Sequence, residues 1–179
     1  MDHILRQLNK LTKTKTIARH FSISQEYCQE LGLKNVALRS HQLEGLKWLS
    51  ECHERGQHGC ILGDEMGLGK TLQSIALLLY LRDASSSPSP PFIVICPLSV
   101  VSGWEKELQR ASPQLRVLNF CGDKETRGSK QEEILLHCYK SGAMIDPPFD
   151  ILLVHYEIVL LLWIKRGFTL LLNNIHKFS

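Results

Sequence analysis

Leu43, Leu46, Leu49 and Cys52 recur at helical spacing, which predicts a helix from about His41 to Glu54, capped by Ser40 and ended by Gly56. The apolar triplet in "GCIL", residues 59–62, reads as a short buried strand. A glycine-rich turn follows over residues 63–69, and a helix is predicted from about Lys70 to Arg82. "DASSSPSPP", Asp83 to Pro91, is a surface loop. "FIVIC", Phe92 to Cys96, is a strand stopped by Pro97, after which "WEKELQRA", Trp104 to Ala111, reads as helix. "RVLNF", Arg116 to Phe120, is a further strand, followed by a charged helix near residues 125–140. "DPPFD", Asp146 to Asp150, makes a turn before the apolar strand "ILLVHY", Ile151 to Tyr156. Each strand is one continuous apolar run and strands alternate with helices, so the expected fold is α/β, with a parallel sheet covered on both faces. The chain divides by pattern into an arm over residues 1–35, a body over 36–157 and an apolar tail over 158–179.

Composition changes this picture little. The 179 residues are 44% hydrophobic and 22% charged, with a net charge of +3, as in an ordinary globular chain. The charge is uneven: Arg6, Lys10, Lys13, Lys15 and Arg19 face Asp2 alone within residues 1–25, which makes the front end basic. Ile4, Leu5, Leu8 and Leu11 fall there at helical spacing, a pattern shared by a surface helix and a mitochondrial transit peptide. No pair of cysteines has CxxC spacing, which argues against zinc. Cys60 and Cys96 lie in apolar runs and read as small buried hydrophobes. "ILLVHYEIVLLLWI" is 14 residues long with His155 and Glu157 inside it. That is short of the roughly 20 a membrane span needs, so no membrane partner is expected.

The turn carries the candidate chemistry. A phosphate site wants a strand that stops, glycines that let backbone N–H groups approach an anion, and a helix N-terminus with unsatisfied donors. A lysine in the first helical turn can reach the outer phosphates, and a neighbouring hydroxyl can bind Mg2+. Gly67, Gly69, Lys70 and Thr71 stand at those places. Counting back from Gly69 through GxxxxGK[ST] puts Asp64 where the pattern has its first glycine, since Gly63 comes one residue early. The competing reading is a plain glycine-rich connection with a chance Lys-Thr pair.

The Asp64 variant has a family likeness. "DEMGLGKT", Asp64 to Thr71, resembles motif I of the Swi/Snf-type helicase-like ATPases. "LRSHQLEGLKWL", Leu38 to Leu49, is similar to that family's glutamine motif, and "FIVICPLSVVSGWEKEL", Phe92 to Leu108, to its motif Ia and flanks. "GDKETR", Gly122 to Arg127, and "ILLVHYEI", Ile151 to Ile158, extend the match, in order, over about Leu31 to Ile158. The resemblance implies an incomplete parallel sheet of the helicase superfamily 2 (RecA-like, P-loop) ATPase lobe. It implies ATP and Mg2+ as cofactors, DNA and nucleosomes as partners (weakly held by this chain), a nuclear location, and ATP-dependent DNA translocation that slides nucleosomes. Carried onto this chain, Gln42 reads adenine. Asp64, Glu65, Met66, Gly67, Leu68 and Gly69 form the phosphate turn. Lys70 takes the β- and γ-phosphates and Thr71 binds Mg2+, and these two are the catalytic candidates.

Blander readings stand beside these. Trp48 and Trp104 suit packing better than base stacking. Ser99 is a DNA phosphate contact or a helix cap, Lys106 and Arg110 are a solvated helix face, and His41 stacks on adenine or packs. Gly103 and the pair Val154-His155 depart from the family's usual residues and put DNA contacts there in question. The family's DExH box has no counterpart: after Glu157 the chain holds no Asp or Glu. Asp146 and Asp150 precede their strand and lie at its wrong end. The family pattern breaks off after "YEI", as a splice product or an erroneous gene model would. The expectation is a nucleotide-binding part that does not hydrolyse ATP. The alternatives are an interfering interaction fragment and a small P-loop kinase, although about sixty residues before the turn speak against a kinase.

Overall fold

The computed structural model describes residues 23–85, 91–123, 125, 126, 128, 129 and 149–164, with the backbone alone for 161–164. The basic stretch 1–22, most of the predicted charged helix at 125–140 and the tail beyond residue 164 lie outside the described residues. Two compact units divide the chain, one within Met1–Ser85 and one within Ser86–Ser179.

The first unit is helical. Helix α1 (Gln25–Glu30) starts at Ser24, whose side chain accepts from the Tyr27 N–H at 3.2 Å. The Leu38 N–H donates to Gln25 Oε1 at 2.7 Å, and Cys28 and Leu33 are buried, so this part of the predicted arm is packed. Helix α2 (Ser40–Glu54) begins with Ser40 as its first helical residue and Arg39 at the N-cap. The expected serine cap is replaced by Gln42, whose Oε1 reaches back to accept from the Arg39 N–H at 2.8 Å. Gly56, at φ 69°, ends the helix as predicted, with its N–H on the His53 carbonyl. Helix α3 (Lys70–Ala84) packs on α2 through buried Ile75, Ala76, Leu79 and Tyr80 against Leu46, Leu49 and Cys52. The Tyr80 hydroxyl donates to Glu54 Oε1, which gives a buried phenol the partner it needs.

Residues 59–62 do not form the predicted strand. Ile61 is 88% exposed and Cys60 is exposed as well, so Cys60 is not the buried hydrophobe its neighbours suggested. Three apolar residues between glycines look like a strand. A strand exists only where a ladder partner takes up its backbone groups, and none does so among the described residues.

The second unit contains the sheet. Strands β1 (Phe92–Cys96), β2 (Val117–Asn119) and β3 (Ile151–His155) are all parallel, in the order β1-β3-β2. Ile93, Leu152 and Leu118 share one register row, and Val94, Leu153 and Asn119 the next. Successive side chains alternate faces. Leu152 and Val154 therefore join Phe120, Phe149 and Ile158 on one side, while Leu153 joins Cys96 and Val101 on the other. Every residue of β3 is buried, as a central strand reading as one apolar run should be. Helix α4 (Leu98–Ala111) starts six residues before the predicted Trp104, and helix α5 (Tyr156–Ile164) follows β3 directly. No helix among the described residues is long and apolar enough to cross a membrane.

Asp150 holds the beginning of this sheet together. Its carboxylate accepts from the Arg116 N–H at 2.8 Å and from the Arg116 guanidinium at 3.0 and 3.3 Å. Its own N–H donates to the Arg116 carbonyl, and its carbonyl accepts from the Phe92 N–H. The residue thus links the entries of all three strands, at the end opposite the loops that leave the sheet.

Candidate functional site

The glycine turn lies in the first unit, between the irregular stretch 57–65 and α3. Gly67 at φ 88° and Gly69 at φ 81° are both left-handed, a conformation that costs a residue with Cβ about 1–2 kcal/mol. Gly69 is the N-cap of α3 and offers no side chain to its donors. The first N–H groups of α3, from Lys70 on, therefore face the turn without intrahelical acceptors, at the positive end of the helix dipole.

Lys70 turns back over this opening. Its Nζ donates to the Asp64 carbonyl at 2.7 Å and to the Glu65 carbonyl at 2.8 Å. An ammonium held by neutral carbonyls keeps its full charge and can exchange them for an anion, to which its bonds are stronger. Thr71 follows Lys70 in the first turn of α3 and is half-buried. Met66 is 95% exposed at the tip, Leu68 and Glu65 are exposed, and Asp64 is half-buried. The donor set suits a phosphate chain: backbone N–H groups, one ammonium and a hydroxyl in sequence.

Gln42 comes to the turn from α2. It is 6% exposed, and while Oε1 serves Arg39, Nε2 donates to the Leu68 carbonyl at 3.0 Å. An amide carries two N–H groups and two lone pairs, so one of each is left for a ligand edge. His41 Nε2 stands 3.3 Å from the same Leu68 carbonyl, and the ring is half-buried beside the turn rather than in the core. A cleft of about 460 Å³ opens alongside, lined by His41, Trp48, Ile61, Leu62, Asp64 and Leu68 among others. Trp48 is partly exposed in its wall rather than in the core; Trp104 packs beside Val101 and Cys96 as expected.

Several expectations concern the second unit. Ser99 is exposed in the first turn of α4 and makes no capping bond there, Pro97 being the N-cap. Lys106 and Arg110 lie on an exposed face, where Arg110 pairs with Glu107 at 2.6 Å. His155 is buried, with Nδ1 3.8 Å from the exposed Glu157 carboxylate.

One polar residue of the turn escaped the sequence reading. Gln73 is fully buried, and its Nε2 donates to Asp64 Oδ2 at 3.0 Å. The signal was there in "TLQSIALLLYL": one amide inside an otherwise apolar helical face.

Comparison with known proteins follows the same lines. Residues 41–176 match the model of the SNF2-related domain. The chain is 48% identical over 132 residues to chromodomain-helicase-DNA-binding protein 1-like of Mus musculus, covering 74% of this chain and 13% of the relative. It is 37% identical over 153 residues to SWI/SNF-related matrix-associated actin-dependent regulator of chromatin subfamily A member 1 of Homo sapiens, covering 86% and 13%. The chain thus spans about an eighth of the length of these curated relatives. Among solved structures, the Sulfolobus solfataricus SWI2/SNF2 ATPase core in complex with dsDNA aligns with a TM-score of 0.51 at 32% identity, over 70% of this chain and 23% of that one. The small parallel α/β sheet is accordingly that of a RecA-like superfamily 2 ATPase lobe. With three quarters of its residues inside the matched region, the chain belongs to the SNF2-related domain family.

Proposed function

We propose that this chain is the ATP-binding portion of a DNA translocase that slides nucleosomes, and that its 179 residues by themselves bind ATP–Mg2+ without hydrolysing it. The observation that carries the reading is the Lys70 ammonium, held over a left-handed glycine turn by the Asp64 and Glu65 carbonyls at the N-terminus of α3. In the bound state Lys70 exchanges those carbonyls for the β- and γ-phosphates, and the backbone from Gly67 to Gly69 donates to phosphate oxygens. Thr71 would hold Mg2+ through its hydroxyl, and the ion would supply charge neutralisation there. Gln42, which bonds to the Leu68 carbonyl and keeps one N–H and one lone pair, reads the adenine edge beside the cleft that His41, Trp48 and Leu68 line.

Binding does not amount to turnover. Hydrolysis needs a further carboxylate to place the metal and the attacking water, and no Asp or Glu follows Glu157. Asp150 is committed to Arg116, and Asp64 to Gln73. DNA and nucleosomes are the partners and the nucleus the location, on the strength of the relatives' names and of the solved core with dsDNA. Few phosphates can be neutralised by so short a portion, so its DNA affinity is weak and falls steeply with salt. The test is phosphate release by the purified chain, with and without nucleosomes, beside its Lys70→Ala variant. Equal background rates are expected. Nucleosome-stimulated release that vanishes with the lysine would overturn the non-hydrolysing reading.

A further inference from the structure

We propose that Gln73 is a positioning residue for nucleotide binding, and that it acts by tethering the Asp64 carboxylate away from Lys70. The inference rests on the reading of the turn given above and concerns its control.

The turn contains a built-in conflict. Asp64 brings a negative charge to the place where the general phosphate-loop pattern has a glycine, six residues before the lysine that must meet an anion. A carboxylate loose at that point would pair with the ammonium and compete with phosphate for it. The geometry avoids this outcome. Lys70 bonds to the backbone carbonyl of Asp64, while the Asp64 carboxylate accepts from Gln73 Nε2 at 3.0 Å. A carboxylate oxygen only accepts, so the orientation of the Gln73 amide is settled by chemistry.

Gln73 is an expensive way to fill its position. It is fully buried, and its Oε1 has no hydrogen-bond partner. A methionine would occupy much the same space without the unsatisfied oxygen, giving up only the bond to Asp64. Room for the unpaired oxygen comes from α2: a Cβ on Gly45 would lie 2.0 Å from Gln73 Oε1. Two features on two helices, a glycine and a buried amide, therefore serve a single bond to Asp64. Its effect is to hold the carboxylate against α3 and leave the ammonium on exchangeable neutral carbonyls.

The test is calorimetric titration of ATP–Mg2+ into the full 179-residue chain and four variants: Gln73→Met, Gly45→Ala, Lys70→Ala, and Gln73→Met combined with Asp64→Ala. Gln73→Met is expected to weaken binding about tenfold, the equivalent of one lost hydrogen bond to a charged group. Gly45→Ala displaces the amide from the other side and should weaken binding in the same direction, which covers the case in which the methionine variant does not fold. The decisive comparison is the double variant. With the competing carboxylate removed, it should bind more tightly than Gln73→Met alone, whereas a packing role would leave it as weak or weaker. Lys70-dependent binding by the unaltered chain, together with undiminished binding by Gln73→Met and Gly45→Ala, would overturn the positioning role and leave the nucleotide site standing. No binding by the unaltered chain would overturn both.

Discussion

Gln42 Nε2 donates to the Leu68 carbonyl at 3.0 Å while Oε1 of the same amide accepts from the Arg39 N–H at 2.8 Å. One side chain thereby closes the start of α2 and ties it to the glycine turn. Gln42→Ala removes both bonds from a buried place and is expected to destabilise the first unit by about 1–3 kcal/mol. Gln42→Glu keeps the acceptor for Arg39 but turns a carboxylate oxygen toward the Leu68 carbonyl, and should cost more than the alanine. Urea unfolding of the two variants beside the unaltered chain checks the order.

Gly69 meets that amide from the turn. It sits at φ 81°, and a Cβ there would come within 2.1 Å of Gln42 Nε2. Gly69→Ala therefore combines backbone strain with displacement of the amide, and a loss of about 2 kcal/mol is expected. Gly63, with no atom within 4 Å of its would-be Cβ, is the control. Gly63→Ala should leave the urea midpoint close to that of the unaltered chain.

In the second unit, Asp150 is the residue to remove. Its carboxylate accepts one backbone and two guanidinium bonds from Arg116. Asp150→Ala leaves the Arg116 N–H without its acceptor and should cost about 1–3 kcal/mol. Arg116→Ala keeps that backbone bond and gives up an ion pair whose Arg116 end is half-exposed, so a smaller loss is expected. A reversed order in urea unfolding would show that the guanidinium, rather than the backbone bond, secures the strand entries.

Burial first, and the Glu26 carboxylate second, push the Cys28 thiol up to about 11. The thiol of an unfolded chain ionises near its ordinary value of 9.0. The folded state thus favours the neutral form, so its contribution is fully present below pH 9 and is lost as pH rises toward 11. Two pH units correspond to about 2–3 kcal/mol as an upper figure. Cys52 and Cys96 are raised by burial too, so Cys28→Ala should flatten the alkaline decline of stability without abolishing it. An unchanged slope between pH 9 and 11 would refute the assignment to Cys28.

The sheet was legible because its longer strands are continuous apolar runs, and the central β3 buries both faces. "FIVIC" and "ILLVH" are continuous apolar runs with β-branched residues, and they became β1 and the central β3. "GCIL" carried the same local signal and failed, because strand formation depends on a pairing partner that no local pattern records. The first turns of α4 were missed for the opposite reason. Val100, Val101 and Gly103 are poor helix formers, yet Val101 is buried against Leu153 and Cys96, and packing outweighs their propensity. The turn itself could be read from glycine spacing and the lysine that follows. Its support could not, since Gln73 gains meaning only once Gly45 and Asp64 are brought beside it from two other segments.

Calorimetric titration of ATP–Mg2+ into the 179-residue chain and its Lys70→Ala variant tests the central claim most directly. Saturable binding by the unaltered chain, and none by the variant at equal circular dichroism, is the result this account requires. Binding of equal strength by the two would mean that the ammonium held by Asp64 and Glu65 at 2.7 and 2.8 Å takes no phosphate, and would contradict the account at its root.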